Sequence, residues 1–297
     1  MPEENDDLIA MMRERVETQK EKRNWTEAES AANTTVDTFK ERYDEDPEKI
    51  GDYARALEIK ANLYRDLGDQ NQAQELYGQI IDLLENSTSY QRICGRVGAN
   101  LAIIYEDQEM LEDARNFYCW SLENFEVADP PMPLEMAGVL NNLAFLYERQ
   151  HYLEEAEDLF MRALKINKQE LGTKNESTAD VWNNLGGLYY RSGKFPQALE
   201  MHKMALEIRE DVLGKDHFDT AQSYGNLALA YAEVDKIDLA KESFDNALKI
   251  LEKSKEEGIG DYAIISSNFV HILKELGHPK DAEKIEKRTT KYMKKLH

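Results

Sequence analysis

One run of residues returns five times at a constant spacing of 42: Asn100-Leu101-Ala102-x-x-Tyr105, Asn142-Leu143-Ala144-x-x-Tyr147, Asn184-Leu185-Gly186-x-x-Tyr189, Asn226-Leu227-Ala228-x-x-Tyr231 and Asn268-Phe269-Val270-x-x-Leu273. A fixed period of this length constrains the fold more than any single residue does. Each period must have the same local structure and meet its neighbours in the same way, which is the signature of a repeat array. A second pattern of small, large and small residues follows each run: Ala114, Tyr118, Ser121; Ala156, Phe160, Ala163; Ala198, His202, Ala205; Ala240, Phe244, Ala247. Both patterns carry apolar residues at helical spacing, so each period predicts two helices.

The alternation of small and large residues has a packing reason. Two helix axes approach closely only where one side offers Gly or Ala, and large side chains then fill the gaps beside the crossing. Gly186 and Ala144 are the expected close approaches, with Trp182, Leu185 and Tyr189 filling the space around one of them. Turn residues separate the two helices, as in Arg191-Ser192-Gly193-Lys194-Phe195-Pro196, where Pro suits the first turn of a helix. Longer polar segments such as Ala128-Asp129-Pro130-Pro131-Met132-Pro133 and Leu171 to Thr178 join one period to the next.

Extending the register along the chain predicts a single all-α solenoid over residues 1–297. Repeats fall at about 54–92, 95–134, 137–176, 179–218 and 221–260, with a weak N-terminal unit at 8–45 and a capping unit at 263–297. The upstream repeat, with Leu57, Ala61, Tyr64, Gly68, Ala73 and Tyr77, is slightly out of register, and the first unit keeps only Val16, Trp25, Ala28 and Ala32. The last decays to Gly277, Ala282 and Glu286. No stretch is left over for a separate catalytic domain.

Trp182-x-x-Leu185-Gly186-x-x-Tyr189 followed by Ala198 and Ala205 resembles the tetratricopeptide repeat. The period of 42 and the run Ala205-Leu206-Glu207-Ile208-Arg209-Glu210-Asp211-Val212-Leu213-Gly214-Lys215-Asp216-His217, with Leu140-Asn141-Asn142-Leu143-Ala144, are similar to the repeats of kinesin light chains. The resemblance is strongest over about residues 95–255. It implies a right-handed superhelical solenoid of about seven helix-turn-helix units that binds proteins in a concave groove. The long heptad segment of animal kinesin light chains is not seen, so the nearer likeness is to repeat-only, bacterial kinesin-light-chain-like proteins associated with bacterial tubulins.

The same resemblance turns the Asn column toward the groove: Asn100, Asn142, Asn184, Asn226 and Asn268, with Asn141 and Asn183 beside it. Asn inside a helix costs about 0.5–0.7 kcal/mol relative to Ala, so five cost about 3 kcal/mol that some interaction should offset. Either the amides bond an extended peptide, to which they can both donate and accept, or each bonds a neighbouring helix. First-helix positions of the family's groove also hold Arg55, Arg65, Arg96, Arg149 and Arg191. Left open, they make a basic track that favours an acidic peptide with an aromatic anchor; paired with acids on the next helix, they do not.

Charge and motif content narrow the remaining classes. The formal net charge of −21 opposes binding to nucleic acid or to an anionic membrane surface. Acids dominate residues 1–50, with 15 against 8 bases, whereas residues 280–297 carry 7 bases against 3 acids, including Lys291, Lys294 and Lys295. The acidic start, Met1-Pro2-Glu3-Glu4-Asn5-Asp6-Asp7, is unlike a secretory signal, and the chain reads as cytoplasmic. Cys94 and Cys119 are expected on different helices as reduced thiols. The six histidines, His151, His202, His217, His271, His278 and His297, are dispersed and lack metal-site spacing. Phosphate-cradling and nucleophile motifs are missing, Gly95-x-x-Gly98 falls where helices should pack, and Glu154-Glu155 and Glu256-Glu257 read as solvated faces. The sequence therefore predicts no enzyme, no metal and no cofactor. Its two functional expectations are an adaptor that holds an extended partner segment and a cytoskeletal accessory protein that binds a filament such as bacterial tubulin.

Overall fold

The computed structural model describes residues 2–85, 87, 89–253 and 258–296, and for residues 2–5, 295 and 296 the backbone alone. Glu256, Glu257, His297 and the Lys295 side chain lie outside the described residues. Among the described residues fourteen α-helices follow one another: α1 Pro2–Glu21, α2 Trp25–Glu45, α3 Ile50–Asp66, α4 Gln70–Leu84, α5 Gln91–Asp107, α6 Leu111–Val127, α7 Pro133–Arg149, α8 Leu153–Glu170, α9 Glu176–Arg191, α10 Phe195–Val212, α11 Phe218–Glu233, α12 Ile237–Lys253, α13 Ile259–Glu275 and α14 Pro279–Leu296. A 3₁₀ turn, Pro47–Lys49, precedes α3, and among the described residues no strand occurs. The all-α helix-turn-helix reading holds.

Each repeat closes its first helix in the same way. Backbone N–H groups of Asp69, Met110, Tyr152, Lys194, Lys236 and His278 donate to the carbonyls of Tyr64, Tyr105, Tyr147, Tyr189, Tyr231 and Leu273 at 2.7 to 2.9 Å. These are the six-to-one bonds of a Schellman end, and they place the preceding residue in the left-handed region. Gly68, Gly193 and Gly277 occupy that place at φ of 80°, 70° and 81°. In three other repeats Glu109, His151 and Asp235 are forced into it, at 61°, 64° and 59°. The terminal residue of the sequence motif is thus the acceptor that ends the helix.

The small and large residues meet as the packing rule requires. A Cβ on Gly186 would lie 2.7 Å from the His202 ring, one on Gly95 2.5 Å from the Phe125 ring, and one on Gly98 2.7 Å from Trp120. Those approaches account for Gly95-x-x-Gly98 as a helix crossing. The large residue of the second helix, Tyr118, Phe160, His202 or Phe244, is buried in every one of these repeats.

The helices form two compact units, Met1–Val139 and Leu140–His297, divided within α7. In the first, Val16, Ala28, Ala32 and Phe39 pack with Ile59 and Leu63, and a second cluster joins Leu57, Tyr77 and Ile80 to Val97 and Leu101. In the second unit, Leu199, Leu227 and Ala230 form a small cluster. A larger one runs from Ala221 through Phe244, Leu248 and Tyr262 to Phe269 and Ala282. The Phe244 and Phe269 rings stack at 4.5 Å and those of Tyr262 and Tyr292 at 4.3 Å. Both units bury the apolar face that a lone helix pair would leave in water.

Candidate functional site

In the Leu140–His297 unit the Asn residues form a ladder between successive first helices. Asn184 Nδ2 donates to Asn141 Oδ1 at 2.9 Å, and Asn226 Nδ2 donates to Asn183 Oδ1 at 2.9 Å, each across 43 residues. The same step of 43 joins Arg191 to Glu148, with Nη2 to Oε2 at 2.7 Å, and the Tyr190 hydroxyl to Glu233 at 3.1 Å. A period of 42 with contacts at 43 means that each first helix meets its predecessor one residue out of register. Asn141 and Asn183, neighbours of the column in sequence, are therefore its acceptors.

Asn183 also ties the ladder to the core. Its Oδ1 lies 3.2 Å from His202 Nδ1, and His202 is 2% exposed. Burial, with the positive charges of Arg191 and Arg209 nearby, holds this imidazole down to about 4, so it is neutral near pH 7. A neutral ring donating from Nδ1 fixes the Asn183 amide, whose oxygen then accepts from two directions.

The ladder lines an open pocket of about 330 Å³. Asn183, Asn184, Asn226, Asn268 and Arg191 border it, as do Phe145, Gly187, Tyr190, His202 and Leu229. Four members of the predicted Asn set and one predicted arginine are thus brought to one surface. The aromatic and small members were not singled out in the sequence, although Gly187, Tyr190 and Arg191 follow Asn183 and Asn184 at three-, four- and seven-residue steps on the same helix face. The Tyr190 hydroxyl is pushed above its ordinary range by burial and by Glu233. Asn142, on α7, is half-buried and does not border the pocket.

In the Met1–Val139 unit the corresponding contacts step by 38. Arg96 grips Glu58 with two bonds of 2.6 and 2.7 Å, and Asn100 Nδ2 donates to Asn62 Oδ1 at 3.1 Å. Arg65 donates to Asn100 Oδ1 at 2.5 Å and to Asp66. Arg55 pairs with Asp6. Glu58 and Asn62 were missed because this repeat is out of register with the rest.

Among the predicted arginines, Arg55, Arg96 and Arg191 are thus held by carboxylates, Arg65 is shared between Asp66 and Asn100, and Arg149 is also partnered. An acidic ligand would have to compete with Glu58 and Glu148 for the best-placed guanidinium groups. What this surface offers is amide hydrogen bonding beside aromatic and aliphatic faces. Among the described residues no three His, Cys, Asp or Glu side chains are grouped to hold a metal ion, and no helix is long and apolar enough to cross a membrane.

Comparison with known proteins agrees with this architecture. Models of the tetratricopeptide repeat match residues 135–211, 177–253 and 54–86, together just over half of the chain. A search of curated proteins finds no match to the sequence. Among solved structures, BtubC (BKLC) from P. vanneervenii superposes with a TM-score of 0.68 at 24% identity, covering 77% of this chain and 91% of that one. A Podosopora anserina protein described as a kinesin light chain with nearly identical TPR-like repeats gives 0.57 at 18% identity, covering 68% and 96%. A Rap protein complexed with competence and sporulation factor gives 0.55 at 14% identity, covering 98% of both chains. At these identities the likeness is one of fold. With the family models, the Schellman-closed helix pairs and the small-to-large crossings in agreement, this chain belongs to the tetratricopeptide-repeat family.

Proposed function

We propose that the protein is an interaction scaffold that holds an extended segment of a partner protein against α9, α11 and α13 of its Leu140–His297 unit. The observation that carries this reading is the pocket bordered by the Asn ladder, Tyr190, Leu229 and Arg191. Asn184 and Asn226, each giving one Nδ2 hydrogen to the ladder, keep a second donor hydrogen and their own Oδ1 for a ligand backbone. The Rap protein whose fold this chain shares was solved with competence and sporulation factor, and that fits a cargo-holding role. The reading adds no chemistry to binding, in keeping with a family not built for catalysis.

The test is capture of partners from the source cell, followed by competition. A short synthetic peptide from the captured protein should displace it, and Asn184→Ala with Asn226→Ala should weaken the complex while leaving the helical circular-dichroism signal unchanged. A captured protein that no fragment of its own displaces, and that ignores both substitutions, would refute the reading.

A second reading, that the chain decorates a cytoskeletal filament such as bacterial tubulin, is favoured by one observation. Lys280, Lys291 and Lys294 on α14 are exposed and have no acidic partner among the described residues. Co-sedimentation with polymer that Lys291→Glu and Lys294→Glu abolish, with the ladder variants silent, would put this reading in place of the first.

A further inference from the structure

The Asn ladder has one rung without its acceptor. Residue 184 bonds 141 and residue 226 bonds 183, so the step of 43 that joins them sets residue 225 opposite Asn268, and residue 225 is Gly. Asn268 is exposed and has no hydrogen-bond partner among the described residues. Gly225 is buried in the floor of an open pocket of about 150 Å³, which Asn226, Leu229, Ile264 and Asn268 also border. Ile265, which also borders this pocket, packs against that glycine, with Cδ1 3.0 Å from where a Cβ on Gly225 would stand. Above that floor the pocket has room for one small side chain.

We infer that this pocket takes the neutral primary amide of an Asn or Gln side chain from the bound segment, which completes the ladder in place of the residue that Gly225 lacks. The ligand carbonyl accepts from Asn268 Nδ2, as Asn141 and Asn183 accept in the two complete rungs. The ligand NH₂ donates to Asn226 Oδ1, because Asn226 Nδ2 is committed to Asn183. A carboxylate fits less well: Asp261, which accepts from Gln222 at 3.2 Å, stands on the same wall and repels it. An ammonium group has no acceptor to offer Asn268. The aliphatic faces of Leu229 and exposed Ile264 receive the methylene groups. This inference rests on the groove reading above and specifies one subsite of it.

A phage library of random dodecapeptides, selected on the full chain, supplies the probe. Enriched peptides should share an Asn or Gln at one position. Asn268→Asp, which keeps the shape but cannot donate, should weaken their synthetic versions about five- to tenfold, as should replacing the peptide amide residue with Leu. Together the two losses should be less than additive, because the Asn268 bond to the ligand carbonyl is removed by either change. Peptides that lack a shared amide residue, or that bind the Asn268→Asp protein normally, overturn this inference; if Asn184→Ala with Asn226→Ala still weakens them, the groove reading stands. Peptides insensitive to every one of these substitutions, or a selection that yields no binder, overturn both.

Discussion

His202 makes the stability of the Leu140–His297 unit depend on pH in a way that can be calculated in advance. An imidazole ordinarily titrates near 6.5, and burial with Arg191 and Arg209 nearby holds this one down to about 4. A base whose folded value is depressed binds its proton first in the unfolded chain, so the stability it leaves intact above the unfolded value is lost as pH falls from 6.5 toward 4. At about pH 5.5 the unfolded imidazole is mostly charged and the folded one is neutral, a penalty of about 1 kcal/mol. Below both values it reaches about 3 kcal/mol. The control is His202→Phe, because Phe160 and Phe244 fill the same register in the repeats on either side. Urea unfolding of both proteins near pH 7.5 and about 5.5, which stays above the isoelectric point of about 4.8, isolates the term, since the many carboxylates are common to both. The Phe variant should gain about 1 kcal/mol on wild type between the two conditions. A difference that stays constant would mean that His202 is solvated or charged in the folded state, contrary to its burial.

Gly186 should resist even the smallest side chain. Ala at this place gains about 1 kcal/mol of helix propensity, but its Cβ would lie 2.7 Å from the buried His202 ring and would displace the Asn183 bond. The expected net loss is about 1–2 kcal/mol, and more for Gly186→Leu; a urea midpoint at or above wild type would refute the crossing geometry. Glu109, His151 and Asp235 should each be improved by Gly, because they hold left-handed backbone at φ of 61°, 64° and 59°. The gain should be about 0.5–1 kcal/mol per site in urea unfolding, and a loss at Asp235→Gly would refute the strain.

Much of this fold was legible in the sequence because its repeats obey one packing rule. The period of 42 located the helix pairs, and Gly186, Gly95 and Gly98 sit at crossings because nothing larger fits there. The site was legible only in part. A column of Asn at one register showed that something must repay mid-helix amides, but periodicity cannot distinguish an amide turned to a ligand from one turned to the next helix. The step of 43 decides which residues bond, and it is set by how adjacent first helices pack, which is tertiary structure. Pairing of Arg96 with Glu58 was hidden for the same reason: the first repeats step by 38, so acid and base do not align in the frame of 42. His202 looked like a filler of a packing position and is also the group that orients Asn183.

Site-specific photocrosslinking in the source cell tests whether the ladder surface holds the partner. A benzophenone amino acid in place of Tyr190 lies in the pocket beside Asn184 and Asn226, whereas one in place of Met204 lies on the exposed side of α10. A crosslinked protein partner is expected from position 190 and none from position 204. A partner trapped at 204 and not at 190 would contradict that expectation and move the function to the outer face of the second helices.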